Sequence, residues 1–99
     1  MLELFTSRFC QNCHHLRAML DAESIEYKEL HINDLDEFDI SRLIADVRSS
    51  EHGGSGTVVE VLQTPILRNP RSGECFAGMI MDSMTDDLIL DAVREVIRS

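Results

Sequence analysis

The chain has 99 residues, 43% hydrophobic and 27% charged, the balance of an ordinary globular protein, and it is expected to form one domain over residues 1–99 around one core. Eighteen acidic residues against nine basic ones give a net charge of −9, which repels phosphate backbones and anionic lipid surfaces and argues against nucleic-acid or membrane binding. The apolar runs fall far short of the roughly 20 residues that span a bilayer, and Met1 leads directly into a strand-like segment, so the expected location is cytoplasmic.

Leu2-Glu3-Leu4-Phe5-Thr6 is apolar and followed by polar Ser7-Arg8, which reads as a buried strand ending in a loop. From Gln11 to about Glu23, Leu16, Met19 and Leu20, with Ala18 and Ala22 beside them, recur at three- and four-residue intervals without Pro or Gly, the pattern of a helix. Ile25 to Ile32 alternates apolar and polar residues as a second strand with one face buried, ended by Asn33-Asp34. Leu35, Phe38, Leu43, Ile44 and Val47 mark a second helix at about 39–50, with Asp36, Asp39 or Ser41 as its cap. Ser49 to Gly56 is polar and glycine-rich and reads as a flexible loop within the domain, while Val58 to Leu62 is an apolar run of undetermined type.

Thr64 to Arg68 then reads as a strand with Pro65 at its start, where a missing amide is tolerated. Asn69-Pro70-Arg71-Ser72-Gly73 turns the chain into Glu74-Cys75-Phe76-Ala77, a hairpin. Leu88, Ile89, Ala92, Val93, Val96 and Ile97 form the stripe of a last helix, capped by Ser83 or Thr85, with Asp86 and Asp87 in its first turn and Arg94 and Arg98 near its end, as the macrodipole favours. This order calls for parallel pairing early and an antiparallel edge late, hence an α/β sandwich with a central four-stranded mixed sheet flanked by about three helices.

Cys10, Cys13 and Cys75 are an odd number of cysteines, which suits a reactive pair plus one packed thiol better than a structural disulfide framework. A thiol becomes a strong nucleophile as thiolate, and a helix amino terminus favours the thiolate through its free amides and positive dipole end; Cys10 is expected there. Gln11 and Asn12 set Cys13 about one helical turn away, within reach of a mixed disulfide formed by Cys10. Cys10 is therefore the expected attacking thiol and Cys13 the resolving one, with Arg8 adding a cation nearby. A Cys-x-x-Cys between a strand and a helix is considerably more specific than the spacing alone.

With the strand, the loop Phe5-Thr6-Ser7-Arg8-Phe9, the Cys10-Gln11-Asn12-Cys13 motif and the helix in that order, the chain resembles the glutaredoxin and thioredoxin families over nearly its whole length. The resemblance implies a thioredoxin-like fold and thiol-disulfide oxidoreductase activity. It also implies a cis Pro65 that packs against the motif, with the Thr64 backbone docking the substrate chain. Thr85-Asp86 match the end of the family's glutathione-binding pattern, although Ser83-Met84 stand where that pattern has Gly-Gly and Gln11-Asn12 where Pro-Tyr is usual. Arg8, Gln11, Thr64, Pro65, Thr85 and Asp86 are the substrate-contacting residues expected on this basis. The implied partners are disulfide-containing proteins, with electrons from glutathione or a thioredoxin-reductase-like donor and no resident cofactor or metal. A second implication is an electron donor to a specific enzyme such as ribonucleotide reductase, without glutathione.

Other readings compete. Cys10-Gln11-Asn12-Cys13-His14 also spells a covalent haem-attachment pattern, opposed by the lack of an export segment and by the alternation of strands and helices. Cys10, Cys13, His14 and His15 are zinc-ligand types but are too crowded to converge tetrahedrally, and His31, His52 or Cys75 would have to complete such a site. His14 is a candidate proton-transfer partner for Cys13, whereas His15 reads as a polar first-turn residue. Cys75 reads as a small buried hydrophobe, and Met79, Met81 and Met84 as core or rim packing or a docking surface. Asp36, Glu37 and Asp39 read as a solvated helix start, and Tyr27 as a strand-surface residue. An interaction module with merely regulatory thiols is the non-enzymatic alternative.

Overall fold

A computed structural model of the chain describes residues 1–53 and 63–99. Strand β1 (Leu2–Thr6) leads to helix α1 (Gln11–Ala22), then β2 (Tyr27–His31), α2 (Glu37–Ser49), the hairpin β3 (Ile66–Arg68) and β4 (Cys75–Ala77), and α3 (Asp86–Arg98). Short 3-10 segments at Ile32–Asp34 and Gly78–Ser83 precede α2 and α3. The apolar run Val58 to Leu62 and the far part of the glycine-rich loop lie outside the described residues. Among those described, no helix is long and apolar enough to cross a membrane.

The sheet has the order β2-β1-β3-β4. β1 and β2 are parallel, with Leu2 opposite Tyr27 and Thr6 opposite His31. The β1–β3 and β3–β4 pairs are antiparallel, Phe5 lying opposite Ile66 and Ile66 opposite Ala77. The expected four-stranded mixed sheet is therefore present.

Alternation along the strands divides the core in two. Leu2, Leu4, Leu67 and Phe76 pack on one face with Leu16 and Leu20 of α1 and Ile89, Ala92, Val93 and Val96 of α3. Phe5, Ile66, Cys75 and Ala77 occupy the other, against Leu43 and Val47 of α2. Complete burial of a Val, Leu or Ile side chain contributes about 1.5–3 kcal/mol, so these two layers hold the helices to the sheet.

Two of the candidate caps are used. The Asp36 carboxylate accepts from the Asp39 amide at 2.8 Å, starting α2 at Glu37 rather than 39, and Thr85 Oγ1 accepts from the Leu88 amide at 3.3 Å. The hairpin turn is closed by the Gly73 amide donating to the Asn69 carbonyl at 2.8 Å, with Gly73 at φ +79°. Buried Asn69 donates through Nδ2 to the Val96 carbonyl at 3.0 Å, tying this turn to the end of α3.

Residues 50–53, expected as free loop, are packed. Ser50 Oγ accepts from the Cys75 amide at 2.8 Å, and the Ala77 amide donates to the His52 carbonyl at 2.9 Å across a parallel bridge between His52 and Phe76. Gly53 is buried, and a Cβ there would lie 1.8 Å from the Val47 carbonyl oxygen. Composition signals mobility only where nothing pairs with the backbone, and here β4 supplies a partner.

Strand direction sets what meets at the carboxyl end of β1. Because β3 runs antiparallel to β1, its start at Thr64-Pro65 lies beside the residues that follow Thr6. Because β4 runs antiparallel to β3, the chain leaving Ala77 passes Pro65 on its way to α3. The amino ends of α1, β3 and α3 are thus gathered at one end of the sheet.

Candidate functional site

The site begins with the reversal after β1. Phe9 holds φ +56° with its ring fully exposed, and the next residue, Cys10, has φ −104° and ψ 103°, the extended backbone of a helix cap. Cys10 Sγ accepts from the Cys13 amide at 3.1 Å, so one of the orphan donors of the first turn is directed at this sulfur.

Cys10 and Cys13 are joined as a disulfide with their Cα atoms 5.2 Å apart, inside the ordinary range for such a bond. The two sulfurs differ in access: Cys13 is only 2% exposed, on the buried face of α1, whereas Cys10 is partly open to solvent. A thiolate on Cys10 would keep the Cys13 amide as donor, and a solvent-borne partner meets Cys10 first.

Thr64 and Pro65 close one side. The Thr64 carbonyl oxygen lies 3.6 Å from Cys10 Sγ, the Thr64–Pro65 peptide is cis as the family resemblance implied, and the Ser7 and Thr64 hydroxyls are hydrogen-bonded. Pro65 is buried, and its carbonyl accepts from the Gly78 amide at 2.7 Å. The 3-10 segment and α3 close the other side. Asn12 Nδ2 donates to Asp82 Oδ1 at 3.2 Å, and His15 Nε2 lies 2.7 Å from Asp86 Oδ1.

Of the residues expected to contact substrate, Thr64 and Pro65 adjoin Cys10, and Arg8 and Gln11 are exposed on either side of the Phe9-Cys10 corner. Thr85 and Asp86 stand at the same end of the sheet, Thr85 capping α3 and Asp86 engaged with His15. His15, expected as a plain surface residue, is therefore a link between α1 and α3. His14 Nδ1 lies 3.3 Å from an Arg17 guanidinium nitrogen. Arg17 donates twice to Glu29 on β2, at 2.9 Å each, and the buried Thr6 hydroxyl donates to the same carboxylate at 3.1 Å. The Arg17 hydrogen bonds hold the Glu29 carboxyl below its usual value against the opposing effect of burial, and the Thr6 hydrogen bond helps.

Cys75 does not join the pair. It is buried in the layer beneath α2, its thiol is pushed up to about 12 by burial, and its S–H lies 3.4 Å from the Gly73 carbonyl. The crowded zinc set is not assembled either, since Cys10 and Cys13 bond each other while His14 and His15 face Arg17 and Asp86.

The Asn12–Asp82 and His15–Asp86 contacts had no local signal, each joining residues about 70 apart in the chain. The chain is thus an α/β protein with a four-stranded mixed sheet that carries a disulfide-bonded Cys-x-x-Cys pair at the amino end of its first helix. Comparison with protein-family models, curated proteins and solved structures gives no match to it.

Proposed function

We propose that the chain is a glutaredoxin-sized thiol-disulfide oxidoreductase of thioredoxin-like fold, acting on disulfide-containing proteins or glutathione mixed disulfides. The observation that carries this reading is the asymmetry of the pair: Cys10 Sγ is the accessible cap of α1, fed by the Cys13 amide at 3.1 Å, while Cys13 lies buried one turn behind it. The sheet order and the cis Thr64–Pro65 bond beside Cys10 fit the same family pattern.

In the dithiol state the Cys10 thiolate attacks one sulfur of a substrate disulfide, forming a Cys10 mixed disulfide and expelling the other sulfur as thiolate. Cys13 loses its proton and attacks Cys10 Sγ, forming the Cys10–Cys13 disulfide and releasing the second substrate thiolate. Two electrons pass from the protein to the substrate, and both expelled thiolates take up protons. Extended substrate backbone docks along Thr64-Pro65, with Arg8, Gln11, Thr85 and Asp86 on the rim. The disulfide is reset by two glutathione thiols or by one dithiol donor such as a thioredoxin-reductase-like enzyme.

The test is trapping. Cys13→Ser should accumulate a mixed disulfide on Cys10 with a model disulfide substrate, resolvable by mass, and Cys10→Ser should abolish exchange. Equilibration of the unsubstituted protein in graded glutathione buffers should give one two-electron midpoint. The absence of any mixed disulfide with Cys13→Ser would overturn the reading. Turnover sustained by glutathione alone, as against turnover needing a reductase, separates the two electron sources.

A further inference from the structure

On the side of the molecule served by the residues after α2, three metal-ligating side chains converge that the cysteine chemistry does not use. We infer that Glu51, His52 and Glu95 form a site for one divalent transition-metal ion of the zinc class, which fastens the segment after α2 to α3.

The donor set is one imidazole and two carboxylates, the mixed nitrogen and oxygen chemistry that such ions take. One ligand atom from each residue lies within 4.8 Å of the others. Bonds of about 2.0–2.2 Å around a tetrahedral or octahedral ion place neighbouring donors about 3–3.5 Å apart, so small side-chain rotations are enough to close the set. His52 Nε2 is already hydrogen-bonded to Glu95 Oε2.

The backbones that carry these ligands are held. His52 is bridged to Phe76 of β4, and the Ala77 amide donates to the His52 carbonyl at 2.9 Å. The Glu51 amide donates to Glu74 Oε1 at 2.8 Å. Glu95 projects from α3, whose Val93 and Val96 are buried in the core. Residues 43 apart in the chain thus meet on fixed supports, which lowers the ordering cost of ligation.

Charge argues in the same direction. His52 is paired with Glu95, and a second carboxylate, Glu51, brings a ligand atom within 4.8 Å of both, with Glu74 adjoining, in a protein of net charge −9. A dication would balance the charge of Glu51 and Glu95. The site shares no side chain with the Cys10–Cys13 pair, and Glu95 stands about 13 Å along α3 from Asp86 at 1.5 Å per residue.

The test uses the full chain in its disulfide form, in which Cys10 and Cys13 offer no free thiol, and titrates it with Zn2+ by calorimetry and equilibrium dialysis. One equivalent should bind and raise the midpoint of thermal unfolding. His52→Ala and Glu95→Gln should each weaken binding by about tenfold or more and cancel that rise, while His15→Ala leaves both unchanged. The bridge to Phe76 is made by His52 backbone, and Glu95→Gln preserves shape on an exposed helix face, so circular dichroism should show both variants folded. No saturable uptake by the unsubstituted protein, or equal uptake by the His52 and Glu95 variants, would overturn the site. Neither outcome bears on disulfide exchange, which a Cys10→Ser, Cys13→Ser double variant lacks while keeping the zinc titration.

Discussion

Gly78 is the residue on which the wall beside Cys10 depends most closely. A Cβ there would stand 2.3 Å from Pro65 Cδ and 2.6 Å from the Pro65 carbonyl oxygen, both in a buried residue that cannot rotate aside. The requirement is space, and Gly78→Ala should therefore destabilise the fold by about 1–3 kcal/mol, measured as a lowered urea midpoint at unchanged slope. Because Pro65 would have to move with Thr64, the same substitution should slow disulfide exchange even where the protein remains folded. A midpoint equal to that of the unsubstituted chain would show that the 3-10 segment yields instead.

Cys75 offers a second test at the same scale. Burial pushes its thiol up to about 12 from an ordinary value of 9.0, so the folded protein keeps a proton that the unfolded chain gives up near pH 9. The unfolded state then binds fewer protons, and stability falls as pH rises from about 9 toward about 12. Cys75→Ala should flatten that decline while lowering stability at pH 7 through the lost packing. In the native reduced protein at pH 8, iodoacetamide should modify the partly open Cys10 first and reach Cys75 only after denaturant is added.

Among the elements, α1 is fastened to β2 by Arg17 and Glu29. The Glu29 carboxyl titrates below its unfolded value of 4.5, so its contribution is present above that pH and is lost as pH falls through the lowered folded value. With its side chain 41% exposed, the pair is screened and contributes no more than about 1 kcal/mol. Glu29→Gln should lower the urea midpoint at pH 7, and the gap from the unsubstituted protein should narrow below pH 4.5. A constant gap across that range would show that the loss does not come from the charge of the carboxylate.

Elements whose signals are local were legible in the sequence. The stripe from Leu88 to Ile97 places α3 because four of its positions, Ile89, Ala92, Val93 and Val96, face one core layer. The cysteine pair was legible for the same reason: a strand end, two cysteines one turn apart and a helix are all contiguous. β2 starts later than its alternation suggests, because Ile25 is tied back to the end of α1, its amide donating to the Leu20 carbonyl at 2.9 Å after Ser24 at φ +55°. Tyr27, expected on the strand surface, packs at the edge of that same layer. The start of α2 carried three candidate caps, and only the fold brings the Asp36 carboxylate to the Asp39 amide. The 3-10 segment Gly78–Ser83 has no periodicity to betray it. The pinning of Ser50 and His52 on β4 is invisible in a polar, glycine-rich stretch, because its partners lie more than 20 residues downstream.

For the whole molecule, the question is whether the two core layers unfold together. They contact opposite faces of one sheet, and none of the described strands belongs to a single layer: β1 gives Leu4 to one and Phe5 to the other, and β4 gives Phe76 and Cys75. Loss of either layer would expose the opposite pleat of the same strands, so the layers should form one cooperative unit. The chain supplies a probe for each. Tyr27, the only tyrosine, packs at the edge of the layer beneath α1 and α3, and Cys75 is buried in the layer beneath α2. In disulfide-form protein Cys75 is the single free thiol, so urea curves from Tyr27 fluorescence and from pulsed alkylation should coincide. Leu16 is fully buried on the α1 side, and Leu16→Ala should cost about 2–5 kcal/mol. Coupling through the sheet requires this substitution to shift the Cys75 curve as far as the Tyr27 curve, and Leu43→Ala on the α2 side to do the same in reverse. If each substitution moved only the probe on its own side, the sheet would be joining two independently melting layers, and Cys75 could open to solvent while the wall around Cys10 stayed closed.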